Sequence, residues 1–268
     1  MKNQLAVQLY TIRDHIKTGS DLAKSLAKIR EIGYQAVQLS AVGAMEGESP
    51  EIDVKTARQM LDDNGLKCIA THTGWNSLVN NTDAEIEFHQ ALGCDYTAIG
   101  SLPGLFGGEG YGAQGAQGFA DFVADAAPVI AKLKAGGVRF GYHNHAAEFQ
   151  RAGFENGEPV TLFDTFLNAD NPDLLLELDL YWVDHAGVNP ERVIERSVGR
   201  MPIIHIKDKE VVGNDTRMAP IGEGNLDWKY LIPACQKAGV EWICIEQDNC
   251  YRDPFDCLKS SFDYLLKF

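Results

Sequence analysis

Three apolar runs of this chain are interrupted by side chains that could do chemistry. In Leu174 to Trp182, Glu177 and Asp179 alternate with Leu176, Leu178 and Leu180. In Ile203 to Asp208, His205 and Lys207 alternate with Ile204 and Ile206, and in Trp242 to Asp248, Glu246 shares the parity of Cys244 against Ile243 and Ile245. A period of two is the pattern of a β-strand, whose successive side chains point to opposite faces. The leucines and isoleucines claim the face that packs on helices, so the acids, His205 and Lys207 point the other way. A fourth run, Val138 to His145, places His143 and His145 on one face, with Glu148 just beyond its end. Taking a lone carboxylate out of water costs several kcal/mol, roughly, unless it is paired or bound to a metal. Carboxylates and imidazoles converging from neighbouring strands suit a divalent cation. Taken singly, each residue also has a structural reading: Asp179 as half of a buried ion pair with Lys207, a histidine as a hydrogen-bonded core residue. Their joint occurrence at four successive strand ends favours a metal site.

The elements that must position these groups recur with roughly thirty residues between them. Strand-like runs cover Leu5 to Thr11, Tyr34 to Ser40, Lys67 to Thr73, Tyr96 to Leu102, Val138 to His145, Leu174 to Trp182, Ile203 to Asp208 and Trp242 to Asp248. A helix is predicted over Ser20 to Ile32, with Ser20 as N-cap, Leu22, Leu26 and Ile29 on one stripe and Gly33 as the stop. Others are predicted over 52–64, 83–92, 119–135, 161–169, 190–199, 228–238 and 254–266. Pro254 suits a first helical turn, whereas Pro128 predicts a kink or break. Strand then helix, eight times, fits either a closed barrel or an open doubly wound sheet. The turn after the first strand, Tyr10-Thr11-Ile12-Arg13-Asp14, lacks the glycine fingerprint of a dinucleotide-binding open sheet. The expected fold is therefore one (β/α)8 TIM barrel over residues 1–268, a length close to the roughly 250 such barrels need. The segment Leu102 to Gly118, rich in glycine, falls on the rim after the fourth strand, where it reads equally as a lid over substrate or as a floppy insertion.

A formal net charge of -14 would repel a phosphate backbone over most of the surface, so nucleic acid is not an expected partner. The six cysteines form no CxxC pair and fit a reducing compartment. The first ten residues lack the pattern of a secretory leader, and no run reaches the ~18 apolar residues of a membrane span. A cytoplasmic protein without a membrane partner is expected.

At the site residues the sequence also resembles a known family. Gly141-Tyr142-His143-Asn144-His145 with Glu148-Phe149, Leu176-Glu177-Leu178-Asp179-Leu180-Tyr181-Trp182, His205-Ile206-Lys207-Asp208, Ile221-Gly222-Glu223-Gly224 with Asp227-Trp228, and Ile245-Glu246-Gln247-Asp248 are similar to motifs of the sugar phosphate isomerase/epimerase family of xylose isomerase-like TIM barrels. The resemblance runs from Gln8-Leu9-Tyr10 to Asp248 and extends to inosose dehydratases and 3-keto-glycoside lyases. It implies Mn2+, Co2+ or Mg2+, with Zn2+ a further candidate, held by Glu148, Asp179, His205 and Glu246. The epimerase branch carries its fifth-strand glutamate where this chain has His143, so either Glu148 or His143 supplies that ligand; Glu148 is preferred here. The implied activity is isomerisation or epimerisation of a small keto-sugar or polyol through an enediolate. Glu148 and Glu246 would be the acid/base pair, with His145 and Lys207 orienting substrate or shuttling protons. Gln8, His72, His143 and Asn144 would line the pocket, with Trp182 as a stacking wall and His185 as a hydroxyl partner. Gln8 and His72 read equally as satisfied core residues, Trp182 as a seal on the rim, and Glu223 as a loop support through backbone hydrogen bonds. The competing activities are elimination from an inosose or 3-keto-glycoside and sugar binding without catalysis. Endonuclease IV shares the barrel, but the acidic balance argues against DNA repair. The family likeness also suggests a homodimer or homotetramer.

Overall fold

The alternating runs form eight short strands in the computed structural model, which describes residues 1–268: β1 (Leu5–Gln8), β2 (Ala36–Leu39), β3 (Lys67–His72), β4 (Tyr96–Ile99), β5 (Arg139–His143), β6 (Leu174–Asp179), β7 (Ile203–Ile206) and β8 (Trp242–Ile245). All pair in parallel in chain order, and β1 closes the barrel by pairing with both β2 and β8. Each strand stops short of the sequence expectation because the chain turns away at the rim. After Asp179, for example, it enters a short helix, Leu180–His185, with the Asp179 side chain accepting a hydrogen bond from Trp182 N–H.

The outer helices are α1 (Gly19–Ile32), α2 (Val54–Asp63), α3 (Trp75–Asn80), α4 (Thr82–Leu92), α5 (Gly115–Ala135), α6 (Asp164–Leu167), α7 (Leu180–His185), α8 (Pro190–Arg196), α9 (Trp228–Lys237) and α10 (Pro254–Leu265). The cap of α1 is Thr18, whose hydroxyl accepts from Asp21 N–H, so the helix begins one residue before the expected Ser20 cap. Nor does α5 break at Pro128. That proline and Ala124, whose carbonyl it leaves without its usual partner, lie on the exposed side, while Phe119, Phe122, Ala126, Ile130 and Leu133 anchor the opposite side. Two antiparallel hairpins, Arg151–Glu155 with Glu158–Thr161 and Asp208–Val212 with Asp215–Ala219, rise from the rim after β5 and β7. No helix is long and apolar enough to cross a membrane, and all six cysteines are free thiols.

Two apolar layers result from the alternation. Leu176, Leu178, Ile204, Ile206, Ile243 and Ile245 join the large core between strands and helices. Inside the barrel, Ala6, Ala36, Ala70, Ala98, Ile203, Cys244 and Tyr96 form a smaller plug. Gly141 is required there, because a Cβ on it would stand 1.8 Å from the Tyr96 hydroxyl. Above this plug, toward the strands' C-terminal ends, the interior turns polar.

Candidate metal centre

Strand register stacks the polar groups. His143 of β5 lies beside Glu177 of β6, Asp179 beside His205 of β7, and His205 beside Cys244 of β8, one step below Glu246. In the lower layer, Glu177 Oε1 accepts from Gln38 Nε2 at 2.8 Å, and Oε2 lies 2.5 Å from His72 Nε2, 3.3 Å from His205 Nε2 and 3.5 Å from His143 Nδ1. In the upper layer, Lys207 Nζ donates to Glu246 Oε2 at 2.8 Å and stands 3.0 Å from Asp179 Oδ2. It also reaches Asp248 at 3.2 Å. His205 joins the layers, with Nδ1 2.9 Å from Glu246 Oε2 and Nε2 2.8 Å from Gln38 Oε1. Glu177, Asp179, His205, Lys207 and Glu246 are all buried, as the face assignment from alternation requires.

Burial and opposed charge set the protonation of this cluster. Burial disfavours a charged His205, yet the Glu177 and Glu246 carboxylates win and raise its pKa to about 10. Burial likewise opposes the Lys207 ammonium, and Asp179, Glu246 and Asp248 overcome it, so the lysine stays charged. Glu177 and Glu246 are held well below the ordinary carboxylate range against their own burial, Glu177 by His205 and Glu246 by Lys207. Asp179 is pushed up to about 6, because burial outweighs the attraction of Lys207. His143 falls well below the usual histidine value through burial and the neighbouring His205, and is neutral.

Ligand atoms of His143, Asp179, His205 and Glu246 all lie within 4.8 Å of one another, and those of His72, His143, Glu177 and His205 form a second, deeper group of the same compactness. The upper group fits a divalent cation on its chemistry: two imidazoles and two carboxylates, from four adjacent strands. It fits as well on what is left unsatisfied. His143 Nδ1 is buried with no hydrogen bond, although natural folds leave few such atoms, and His143 Nε2 lies 3.9 Å from Asp179 Oδ2, an oxygen that meets the Lys207 ammonium at 3.0 Å. Gln8 Nε2, His145 Nδ1 and Trp182 Nε1 are orphaned around the same mouth.

Glu148 departs from the expected ligand set. Its carboxylate accepts from the Tyr142 hydroxyl at 2.8 Å and from His145 N–H at 3.0 Å. Tyr142 belongs to the outward face of β5, against Phe122 and Phe166, so Glu148 is tied to that side and takes no part in either donor group. Burial pushes its pKa up to about 7. Of the two β5 candidates left open by the sequence, His143 is the one whose ring lies within the compact donor groups.

The remaining nominated residues surround this cluster at different distances. Gln8 is buried in β1, its Oε1 accepting from Tyr10 N–H at 3.4 Å. Asn144 accepts from Asp179 N–H and donates to Asp179 C=O, so it ties the end of β5 to the end of β6. The His145 ring lies 5.5 Å from Trp182 and 5.1 Å from Phe106, an exposed residue of the glycine-rich segment; burial lowers its pKa to about 4. Lys207 sits 5.6 Å from the Trp182 ring centre. His185 is exposed, stacks on Tyr181 and meets the Trp182 ring edge-on at 5.2 Å. His72 has the role of a cluster member through Glu177. Glu223 holds its loop as expected, but through side chains, pairing with Arg252 and accepting from Tyr251 and Ser260.

Gln38, Asp208 and Asp248 were assigned no role from the sequence, and Glu177 no part in holding metal or substrate. Glu177 was legible as an inward acid; its contact with Gln38 spans the barrel interior and left no local pattern. Asp208 is buried behind β7, accepting from the N–H groups of Lys209, Gly222 and Leu226 and from Trp228 Nε1. A Cβ at Gly224 would come within 2.3 Å of it, which accounts for that glycine in the Gly-Glu-Gly turn.

Known structures share this architecture. A sugar phosphate isomerase/epimerase from Parabacteroides distasonis is 20% identical, superposes with a TM-score of 0.79, and each chain is 98% covered. A D-allulose 3-epimerase from Methylomonas sp. is 12% identical at a TM-score of 0.67, with 98% of this chain and 97% of that one covered. A probable 3-DHS dehydratase from Bacillus anthracis is 13% identical at a TM-score of 0.70, with 98% of both chains covered. No curated protein matches the chain. At such identities the likeness speaks for the barrel alone. The family model described as xylose isomerase-like TIM barrel, however, matches residues 26–267, and with it nearly every strand that builds the centre; the chain belongs to that family.

Proposed function

We propose that the chain is a metal-dependent isomerase or epimerase that moves a proton on the carbon next to a carbonyl in a small keto-sugar or ketone-bearing polyol. The observation that carries this reading is the buried convergence of His143, Asp179, His205 and Glu246 at the barrel mouth, with orphaned polar atoms around it. A divalent ion bound there, of the Mn2+, Co2+ or Mg2+ kind with Zn2+ as a further candidate, lowers the cost of negative charge developing on a carbonyl oxygen. The imidazole pair favours the transition ions over Mg2+.

Each side chain has a share in the work. Lys207 holds the Asp179 and Glu246 carboxylates together and keeps Glu246 ionised. Glu246 Oε1 has no protein hydrogen bond, and Glu246 is the assigned base. One base on one face can carry a proton between neighbouring carbons, which isomerises the sugar; inversion at a single carbon needs a second group on the other face. His145, on the β5 side of the mouth, is assigned to that face, with Glu148 positioning its backbone. Trp182 and Phe106 flank His145 and offer ring surfaces to the apolar side of a sugar.

The test is solvent exchange. Protein loaded with Mn2+ is incubated in D2O with keto-hexoses, inososes and 3-keto-glucosides, and carbon-bound deuterium is followed by mass spectrometry. Uptake by one of these is expected, and Glu246→Gln should lower its rate about 10²- to 10⁴-fold without loss of fold. No uptake into any of them, or an undiminished rate in the variant, contradicts the reading. Uptake accompanied by a new enone absorbance would assign elimination in place of isomerisation.

A further inference from the structure

A second cavity, of about 500 Å3, opens at the same rim between the ends of β2 and β3 and the start of α4. That size lies within the range of about 300–1,000 Å3 common to small-molecule sites. Leu39, Val42, Met45 and Phe88 give it an apolar side, and Ser40, Thr73 and Ser77 place hydroxyls along it. His72 forms part of its wall. The same histidine is bonded to buried Glu177 and its ring lies 5.7 Å from that of His205, so a cluster residue is shared between the centre and this cavity.

The charge of the lining is one-sided. Glu46 and Glu85 are its only residues besides His72 with an ionisable side chain, and neither lysine nor arginine reaches it. Ser77 is already donating to Glu85. A phosphate brought here would meet carboxylates with no fixed cation to offset them. A ring with apolar faces and hydroxyls or other neutral polar groups at its edge meets the matching surface on each side.

We propose that this cavity is a subsite for an uncharged second ring joined to the reacting keto-sugar, which makes the substrate an unphosphorylated glycoside whose ketone lies away from the linked carbon. The assignment of the reacting end rests on the proton-transfer reading above; the subsite itself rests on the cavity, its shared histidine and its lack of cations. Ala84 lines the cavity from the exposed side of α4, and Met45 lines it from the segment after β2, so either can be enlarged without touching the cluster.

Binding to the Mn2+-loaded protein is measured by calorimetry for four probes: methyl β-D-glucoside, p-nitrophenyl β-D-glucoside, glucose and glucose 6-phosphate. The aryl glucoside is expected to bind at least about tenfold tighter than the methyl glucoside, and Ala84→Trp and Met45→Trp should each remove that advantage while leaving the methyl glucoside unaffected. Glucose 6-phosphate should bind no better than glucose. Equal or undetectable affinity for the two glucosides, an aryl preference that survives both substitutions, or tighter binding of the phosphate would overturn the subsite. Because binding is read apart from turnover, an aryl preference without deuterium exchange on any sugar would remove the reaction and keep the subsite. Exchange without the preference would do the reverse.

Discussion

The ammonium of Lys207 lies 1% exposed among three carboxylates, and the balance of the buried centre turns on it. Removing one member of such a pair strands the charges that remain, at a cost of about 3–5 kcal/mol. Lys207→Met, close in length and uncharged, is therefore predicted to lower unfolding stability by that amount in a urea titration, and added Mn2+ should restore part of it. A loss under about 1 kcal/mol would mean that water or protonation compensates the acids. At β5 the prediction separates two residues. His143→Ala removes a donor and should abolish measurable Mn2+ retention, whereas Glu148→Gln alters only what supports His145 and should weaken retention by about 10- to 100-fold at most. The reverse order in calorimetry would return the β5 position to Glu148. Alternation made the inward direction of Glu177, Asp179, His205, Lys207 and Glu246 readable from sequence, because period two fixes the face of every residue in a strand. It could not choose between His143 and Glu148: the latter follows the strand, and its orientation depends on the Tyr142 hydroxyl and a backbone N–H in the turn.

Among the connecting elements, the loop between β7 and α9 shows how the rim is held. Asp208 satisfies four N–H groups from one buried carboxylate. Asp208→Ala would leave them unpaired and is predicted to cost about 2–4 kcal/mol, measurable by thermal or urea unfolding. Glu223 closes the outer edge of that loop, its pKa brought down to about 2 chiefly by Arg252. A carboxylate with a depressed folded-state pKa adds stability that is present above the unfolded value and lost as pH falls through the folded one. The contribution of Glu223 should thus be full above about pH 4.5 and vanish toward about pH 2. Because the pair is about one-third exposed, solvent screens it, and Glu223→Gln should reduce this acid sensitivity by under about 1 kcal/mol. An unchanged pH profile of unfolding would release the loop from that ion pair. Neither rim hairpin was legible. Arg151–Glu155 and Glu158–Thr161 are largely exposed on both faces, so no apolar alternation marks them, and their pairing is made by backbone hydrogen bonds across a turn at Asn156 and Gly157.

At the scale of the molecule, eight strand-helix repeats were readable because each buries one strand face against helices and thus writes the same apolar rhythm. What the rhythm does not record is depth along the barrel axis or contact across it, which is why Gln38 and Glu177, 139 residues apart, were not paired in advance. The excess of acids has a consequence for the whole fold. A net charge of -14 repels itself in the compact state, and salt screens that repulsion. Raising NaCl from low to about 0.5 M is predicted to lift Tm by about 2–4 °C, equivalent to roughly 1 kcal/mol for a chain of this size. A fall in Tm would show that the surface ion pairs outweigh the repulsion.

The central claim concerns a cation at the barrel mouth, and crystals grown with Mn2+ and recorded at a wavelength where manganese scatters anomalously test it most directly. An anomalous peak bounded by His143, Asp179, His205 and Glu246 is the expected result. Its absence at full Mn2+ occupancy elsewhere in the crystal, or its appearance among a different set of side chains, would contradict the account.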